Sequence, residues 1–184
     1  MKYTINLYFD KDSREYLEKL QKELSRKYRI NKFLPSQSIR LGTVEAANLD
    51  KLIDTMVDFI SPYKYFKIYV ENACILENPA KIILAMILDK GYISRIERQI
   101  NECFVQNGFT KAEPLNKLGL FILLSSNMNF DKKINFNFKD YEMNLKSSKK
   151  EFLGKYLLIE GLEIIKSGSF KKDAIIKKIK LKEY

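Results

Sequence analysis

The stretch LPSQSIRLGTVE, residues 34–45, sets the reading of this chain. Ile39 and Leu41 alternate with Ser38 and Arg40, and strict alternation sends successive side chains to opposite faces of a strand. One face enters a core and the other presents polar atoms. The same pattern returns in EPLNKLGLFILL, residues 113–124, where Leu118, Leu120, Ile122 and Leu124 form one face and Lys117 and Gly119 lie on the other. Both strands can display polar groups into one shared cleft.

Working outward from the first of these strands, Tyr3 to Phe9 alternates as a strand. DKDSREYLEKLQKELSRKY follows, with Asp12 or Ser13 as helix cap and Tyr16, Leu17, Leu20 and Leu24 at helical spacing. Ser36 to Val44 predicts the second strand. Leu49 to Ile60 predicts a helix burying Leu52, Ile53, Met56, Val57 and Ile60. YFKIYVENACILENPAKIILAMILD, residues 65–89, reads as a hairpin turning at Glu77-Asn78-Pro79. Ile93 to Asn107 places Ile96, Ile100, Phe104 and Val105 on helical spacing, with Asn107-Gly108 as the stop. A strand from Leu115 to Leu124 leads into a polar insertion, Ser125 to Lys150. The chain closes with a hairpin of Tyr156–Ile165 and Ala174–Leu181 around Ser167-Gly168-Ser169.

Strand, helix, strand, helix, hairpin, helix, strand, insertion and hairpin make an α+β order in which two related halves each pair a leading strand with a helix and a second strand. The expectation is a bilobal arrangement of duplicated antiparallel sheets with flanking helices around a central cleft, in a single domain over 1–184. No solenoid period is present.

Composition narrows the function classes. With 184 residues and 46% hydrophobic content the chain can bury a real interior. MKYTINLYFD alternates from its third residue, unlike a secretory leader, and the longest apolar run, Ile82 to Leu88, is too short to span a bilayer. A cytoplasmic protein without membrane contact is expected. Cys74 and Cys103 lack CxxC spacing and the chain has no histidine, so buried thiols are favoured over a disulfide and no metal site or cofactor is expected.

The net charge of +10 favours polyanionic partners, although lysine greatly outnumbers the arginines whose planar forks read phosphate best. Lys171, Lys172, Lys177, Lys178, Lys180 and Lys182 concentrate at the C-terminal end, where they suit either a nucleic-acid backbone or protection of an edge strand. Tyr63, Tyr65, Phe66 and Tyr69 could stack a base, but aromatics at such positions more often serve the core or the sheet surface. No Walker loop, GxGxxG, GXXG loop or RNP-like motif is present.

SIRL and KLGL, the helix end NGF at 107–109 and the closing YLLIEGLEII at 156–165 together resemble the two-histidine phosphoesterase superfamily, which includes 2′-5′ RNA ligase-like proteins and cyclic nucleotide phosphodiesterases. In that family each lobe carries a strand with His-x-Thr or His-x-Ser, after a proline and before a leucine. The resemblance puts Ser38 and Arg40 at the first motif and Lys117 and Gly119 at the second. It therefore implies a degenerate member, because the family's acid and base are both histidines and this chain has none.

Arginine keeps its proton, and serine without a partner is a poor base. No catalytic residue is thus assigned. Phosphate recognition does not need the acid and base: Arg40 can offer a bidentate fork, Lys117 a point charge, and Ser36 and Ser38 hydroxyl donors. Nucleotide or RNA is the expected partner class, and no protein partner can be named. The competing readings are an active phosphodiesterase with a changed mechanism and an interaction scaffold. Equally weighted against phosphate binding is Arg40 paired with a carboxylate, Lys117 solvated, and serines filling a collapsed cleft.

Overall fold

A computed structural model describes residues 1–30, 37–77, 81–111, 121–127, 146, 148–166 and 175–183. Eight strands are present among them: β1 (Lys2–Phe9), β2 (Ser38–Glu45), β3 (Phe66–Leu76), β4 (Ile82–Ile87), β5 (Thr110–Lys111), β6 (Phe121–Ser126), β7 (Lys149–Lys166) and β8 (Ile175–Lys180). Three helices accompany them, α1 (Lys11–Lys27), α2 (Leu49–Ile60) and α3 (Gly91–Gln106). The strands form one sheet in the order β5-β2-β1-β7-β3-β4-β6, and β8 also pairs with β7. All of these pairings are antiparallel. The α+β class expected from the element order is the class observed.

Strand β7 joins the two halves. Its first part, Lys149 to Ile159, pairs with β3, while Ile159 to Lys166 pairs with β1 and Gly161 to Ile165 with β8. This strand begins seven residues before the expected Tyr156, inside what the sequence marks as a polar insertion. Lys149, Lys150 and Glu151 sit in a two-sided polar stretch where alternation gives no signal. Ser125 and Ser126, also assigned to the insertion, are buried in β6. Residues 128–145 of that insertion lie outside the described residues. So do Asn78 and Pro79 of the first hairpin turn, the Ser167-Gly168-Ser169 turn, and Leu115 to Leu120 of the expected strand.

The helices supply one apolar face each. Asp10 caps α1, its Oδ1 accepting from the Ser13 N–H at 3.1 Å, so the cap lies before the expected Asp12 or Ser13. Such a cap is worth about 1 kcal/mol. Leu17, Leu20 and Leu24 of α1, Leu52, Met56 and Ile60 of α2, and Ile93, Ile96, Ile100 and Phe104 of α3 enter one core with Ile5, Leu7, Phe9, Ile39 and Leu41. Val57 and Val105, expected on the buried faces, are exposed. Each follows a buried neighbour by one residue, a turn of about 100° that carries it off the core stripe.

The helices cross over between halves. Although α1 follows β1, its Gln21 side-chain amide donates to the Leu124 carbonyl of β6, and Lys27 and Tyr28 reach Glu151 of β7. In the other direction α3 packs on β2 and β5, bringing Phe104 Cε2 within 3.7 Å of the space a side chain on Gly42 would fill. Cys74 and Cys103 are both free, as the spacing suggested, but only Cys74 is buried, Cys103 being half-buried on α3.

Candidate functional site

Because directly opposed residues of an antiparallel pair share a face, the register places the polar side chains of four strands in rows. Tyr3, Ile5, Leu7 and Phe9 of β1 join the helix-covered core, leaving Thr4, Asn6 and Tyr8 on the opposite face. Arg40 pairs with Asn6, Asn6 with Glu163, and Glu163 with Lys178, a row running β2-β1-β7-β8. Ser38, Tyr8, Gly161 and Lys180 form the next row. At about 4.8 Å per strand, each row spans roughly 14 Å.

The floor of the rows is buried and the flanks are not. Asn6 is 7% exposed and Glu163 2%, whereas Arg40 and Lys178 at the two ends are exposed. Asn6 Nδ2 donates to Ser38 Oγ at 3.0 Å, fixing the serine hydroxyl on this face of the sheet. Lys178 Nζ lies 3.9 Å from Glu163 Oε2 and 4.8 Å from the centroid of the Tyr8 ring. Lys180 Nζ is held by Glu160 at 2.9 Å, which lowers its value to an incoming anion.

Burial shapes the protonation of this floor. It is the main influence raising the Glu163 carboxyl, opposed by Lys178, by a hydrogen bond from Asn6 and by Arg14. Burial likewise pushes the Tyr8 phenol up to about 12, with Glu160, Tyr65 and Glu163 adding to the effect and Arg14 opposing it. Tyr8 is therefore a neutral hydrogen-bonding group at physiological pH. Gly161 makes room for it: a Cβ there would lie 2.6 Å from the Tyr8 ring and hydroxyl.

Of the residues singled out by sequence, Ser38 and Arg40 lie as expected on the polar side of their strand, on adjacent rows. Ser36 and Lys117, with Gly119, lie outside the described residues. Among the described residues, Asn6, Tyr8, Glu163 and Lys178 share that face with them. Only Lys178 carried a sequence signal, as one of the C-terminal lysines; the others are defined by register between distant strands.

Farther along the same face, Tyr156 pairs with Tyr69, and Asn72 with both Phe152 and Met86. Phe152 is 75% and Tyr156 64% exposed, and the Tyr156 and Tyr69 rings meet at 4.9 Å. Gly154, in the left-handed region at φ 57°, lets the chain turn beneath the Phe152 ring, 2.7 Å from where a Cβ would sit. Of the four aromatics expected as core, surface or stacking groups, Tyr63 packs on Phe59 and donates to Gln99 Oε1 at 2.6 Å. Phe66 meets the Tyr92 ring edge-on at 4.7 Å, beside Tyr65 in an open groove of about 450 Å³ that also contains Lys64 and Lys67. Among the described residues, no group of three or more Cys, Asp or Glu could hold a metal ion, and no helix is long and apolar enough to cross a membrane.

No protein-family model matches the sequence, and no curated protein matches it. Solved structures do. TT0787 of Thermus thermophilus superposes with a TM-score of 0.61 at 13% identity, over 98% of this chain and 98% of that chain. E. coli LigT, solved with 3′-AMP, gives 0.61 at 9% identity over 98% and 97%. Kluyveromyces marxianus Usb1 gives 0.53 at 10% identity over 98% of both chains. At such identities the likeness is one of fold, carried across nearly the whole length. The chain has the α+β fold of LigT and Usb1.

Proposed function

We propose that this protein is a catalytically degenerate phosphoesterase-like protein that binds a nucleotide or an RNA end in the cleft between its halves. The observation that carries the reading is the register of Ser38, Asn6, Arg40, Glu163 and Lys178 on one face of a chain with no histidine. Arg40 offers a fork to a phosphate and the Asn6-anchored Ser38 hydroxyl a further contact. Ser36 and Lys117 belong to the same proposal on sequence grounds. The exposed Phe152 and Tyr156, on the same face, offer stacking surface to a base.

Two further facts support this reading. E. coli LigT, which shares the fold, has been solved with 3′-AMP and with NADP+. The family's acid-base cycle needs two groups titrating near neutrality, and no histidine supplies either. The two free cysteines fit a reducing compartment, and we place the protein in the cytoplasm as part of the same proposal.

The test is a panel of 3′-AMP, 2′,3′-cyclic AMP and 2′-5′ and 3′-5′ linked dinucleotides, followed for thermal stabilisation and for product. Stabilisation without product supports a binding protein. Turnover would favour an enzyme with a changed mechanism, and neither response would favour a scaffold acting through its basic surface.

A further inference from the structure

The polar row contains one group that phosphate recognition does not explain. A carboxylate at the centre of an anion site repels the ligand, yet Glu163 sits there, paired in register with Asn6 on one side and Lys178 on the other. Its Oε1 is buried without a hydrogen-bond partner among the described residues, and so is Asn6 Oδ1 on the neighbouring strand. A buried carboxylate oxygen without a donor, on a carboxyl that otherwise has the Asn6 hydrogen bond and a long Lys178 contact, is a place where a proton is well held.

Resting on the cleft reading above, we propose that Glu163 is the proton-coupled residue of this site, taking up one proton when a phosphate-type anion settles between Arg40 and Lys178 and releasing it when the anion leaves. The geometry gives the reason. Lys178 approaches Glu163 Oε2 only to 3.9 Å, rests over the Tyr8 ring and is exposed on its outer side, so it can swing to an anion at the end of the row. Glu163 then loses its counter-ion while a second negative charge arrives nearby. Among the described residues, the other groups near it are Asn6 and Tyr8 from β1, Ser38 and Arg40 beyond them on β2, and Arg14 at the start of α1; Glu160, near on its own strand, is engaged by Lys180. Of these, Asn6 contributes a hydrogen bond and Arg14 a favourable charge, and the ion pair that Glu163 loses is the one with Lys178. A proton from solvent converts the carboxylate to a carboxylic acid, and its O–H can then serve an acceptor on the floor.

Burial already raises this carboxyl in the free protein, so the exchange is tuned upward from the ordinary carboxylate range. The consequence is selectivity by pH. Anions bind tightly where Glu163 can hold its proton and weakly where the carboxylate retains Lys178.

The experiment uses two probes whose own charge does not titrate in the range: sulfate and the 3′-5′ dinucleotide ApA. Calorimetry from about pH 5 to about pH 9, in two buffers of different ionisation heat, reads affinity and proton uptake together. The wild-type protein should bind with uptake of up to one proton and an affinity falling by up to about tenfold per pH unit through the linked window. Glu163→Gln, isosteric and permanently neutral, should bind with no uptake and a flat profile. In the free protein, Lys178→Ala should move the Glu163 carboxyl titration upward by carbon NMR, which needs no ligand.

A flat wild-type profile without uptake, or a Glu163→Gln profile that reproduces the wild type, would overturn the coupling and leave the cleft reading standing. Failure of both probes to bind, with a raised carboxyl titration still visible, would overturn the cleft reading and the coupling built on it.

Discussion

Replacing Gly161 by alanine tests the packing that seats Tyr8 against β7. The new Cβ would fall 2.3 Å from the Ile179 carbonyl of β8 and 2.6 Å from the Tyr8 ring and hydroxyl. Ordinary contacts need roughly 3.4 Å or more, so something must move by about an ångström. Tyr8 is a side chain and can swing, but the carbonyl belongs to a strand paired with Gly161 itself, and shifting it loosens the β7–β8 ladder. Overpacking of this kind costs about 1–3 kcal/mol, and backbone involvement puts the change toward the upper end. Against it stands about 0.4–1 kcal/mol from the reduced freedom of the unfolded chain, available because Gly161 does not occupy the left-handed region. The clash wins. A net loss of roughly 1–2 kcal/mol lowers the melting temperature by about 2–8 °C in a chain of this length. Urea denaturation and differential scanning calorimetry read the change, and Tyr8→Ala in the Gly161→Ala background should recover only the part due to the ring. A variant as stable as the wild type, or full recovery in the double mutant, would refute the contact with β8.

Arg40→Ala should weaken nucleotide binding by about 1.5–3 kcal/mol and leave the melting temperature nearly unchanged, with Arg40→Lys restoring part of the affinity; titration calorimetry checks it, and lost stability with unchanged affinity would make Arg40 a structural ion-pair partner. Cyclic phosphates and 2′-5′ linkages should not turn over at a dedicated enzyme's rate, since each positioned acid or base contributes about 10² to 10⁴ and both are absent; robust turnover lost in Arg40→Ala would reveal a replaced mechanism. Because the folded carboxyl of Glu163 is raised, its stabilising contribution is complete below the ordinary value of 4.5 and is lost as pH rises through the folded value. Denaturation across pH should show Glu163→Gln gaining on the wild type as pH increases. Glu151 behaves oppositely: hydrogen bonds from Lys27 and Tyr28 hold its carboxyl below 4.5, so Glu151→Gln should destabilise the protein near neutrality and the difference should close as acid is added.

The framework was legible where local pattern and packing agree. Ile39 and Leu41 alternate with Ser38 and Arg40, and the strand forms there with its polar side as read. The helical spacing of Ile96, Ile100 and Phe104 likewise placed α3, while Val105 failed because adjacency in sequence is not adjacency on a helix face. The start of β7 was hidden because Lys149 to Glu151 pair with β3 through backbone hydrogen bonds that need no apolar alternation. Half of the site was hidden for another reason. Glu163 lies in YLLIEGLEII and Asn6 in YTINLYF, and neither segment reveals that the two residues face each other. Strand register between distant segments is a tertiary property, set by the whole sheet. Tyr156 was read as the start of the closing strand, but that it faces Tyr69, and that Phe152 faces Asn72, follows only from the β3–β7 register.

The exchange of helices between halves has a consequence for how the protein must be made. As the chain leaves the ribosome, α1 emerges with Leu17, Leu20 and Leu24 uncovered, and the β6 and β7 segments it rests on come about a hundred residues later or more. At about 5–20 residues per second, that wait lasts several seconds or more, long against the microseconds in which a helix forms. The N-terminal half therefore waits as sticky, partly ordered chain for partners not yet synthesised. Splitting the gene near residue 62 would yield two fragments, each holding a helix whose seat is on the other, and co-expression should rescue what separate expression cannot.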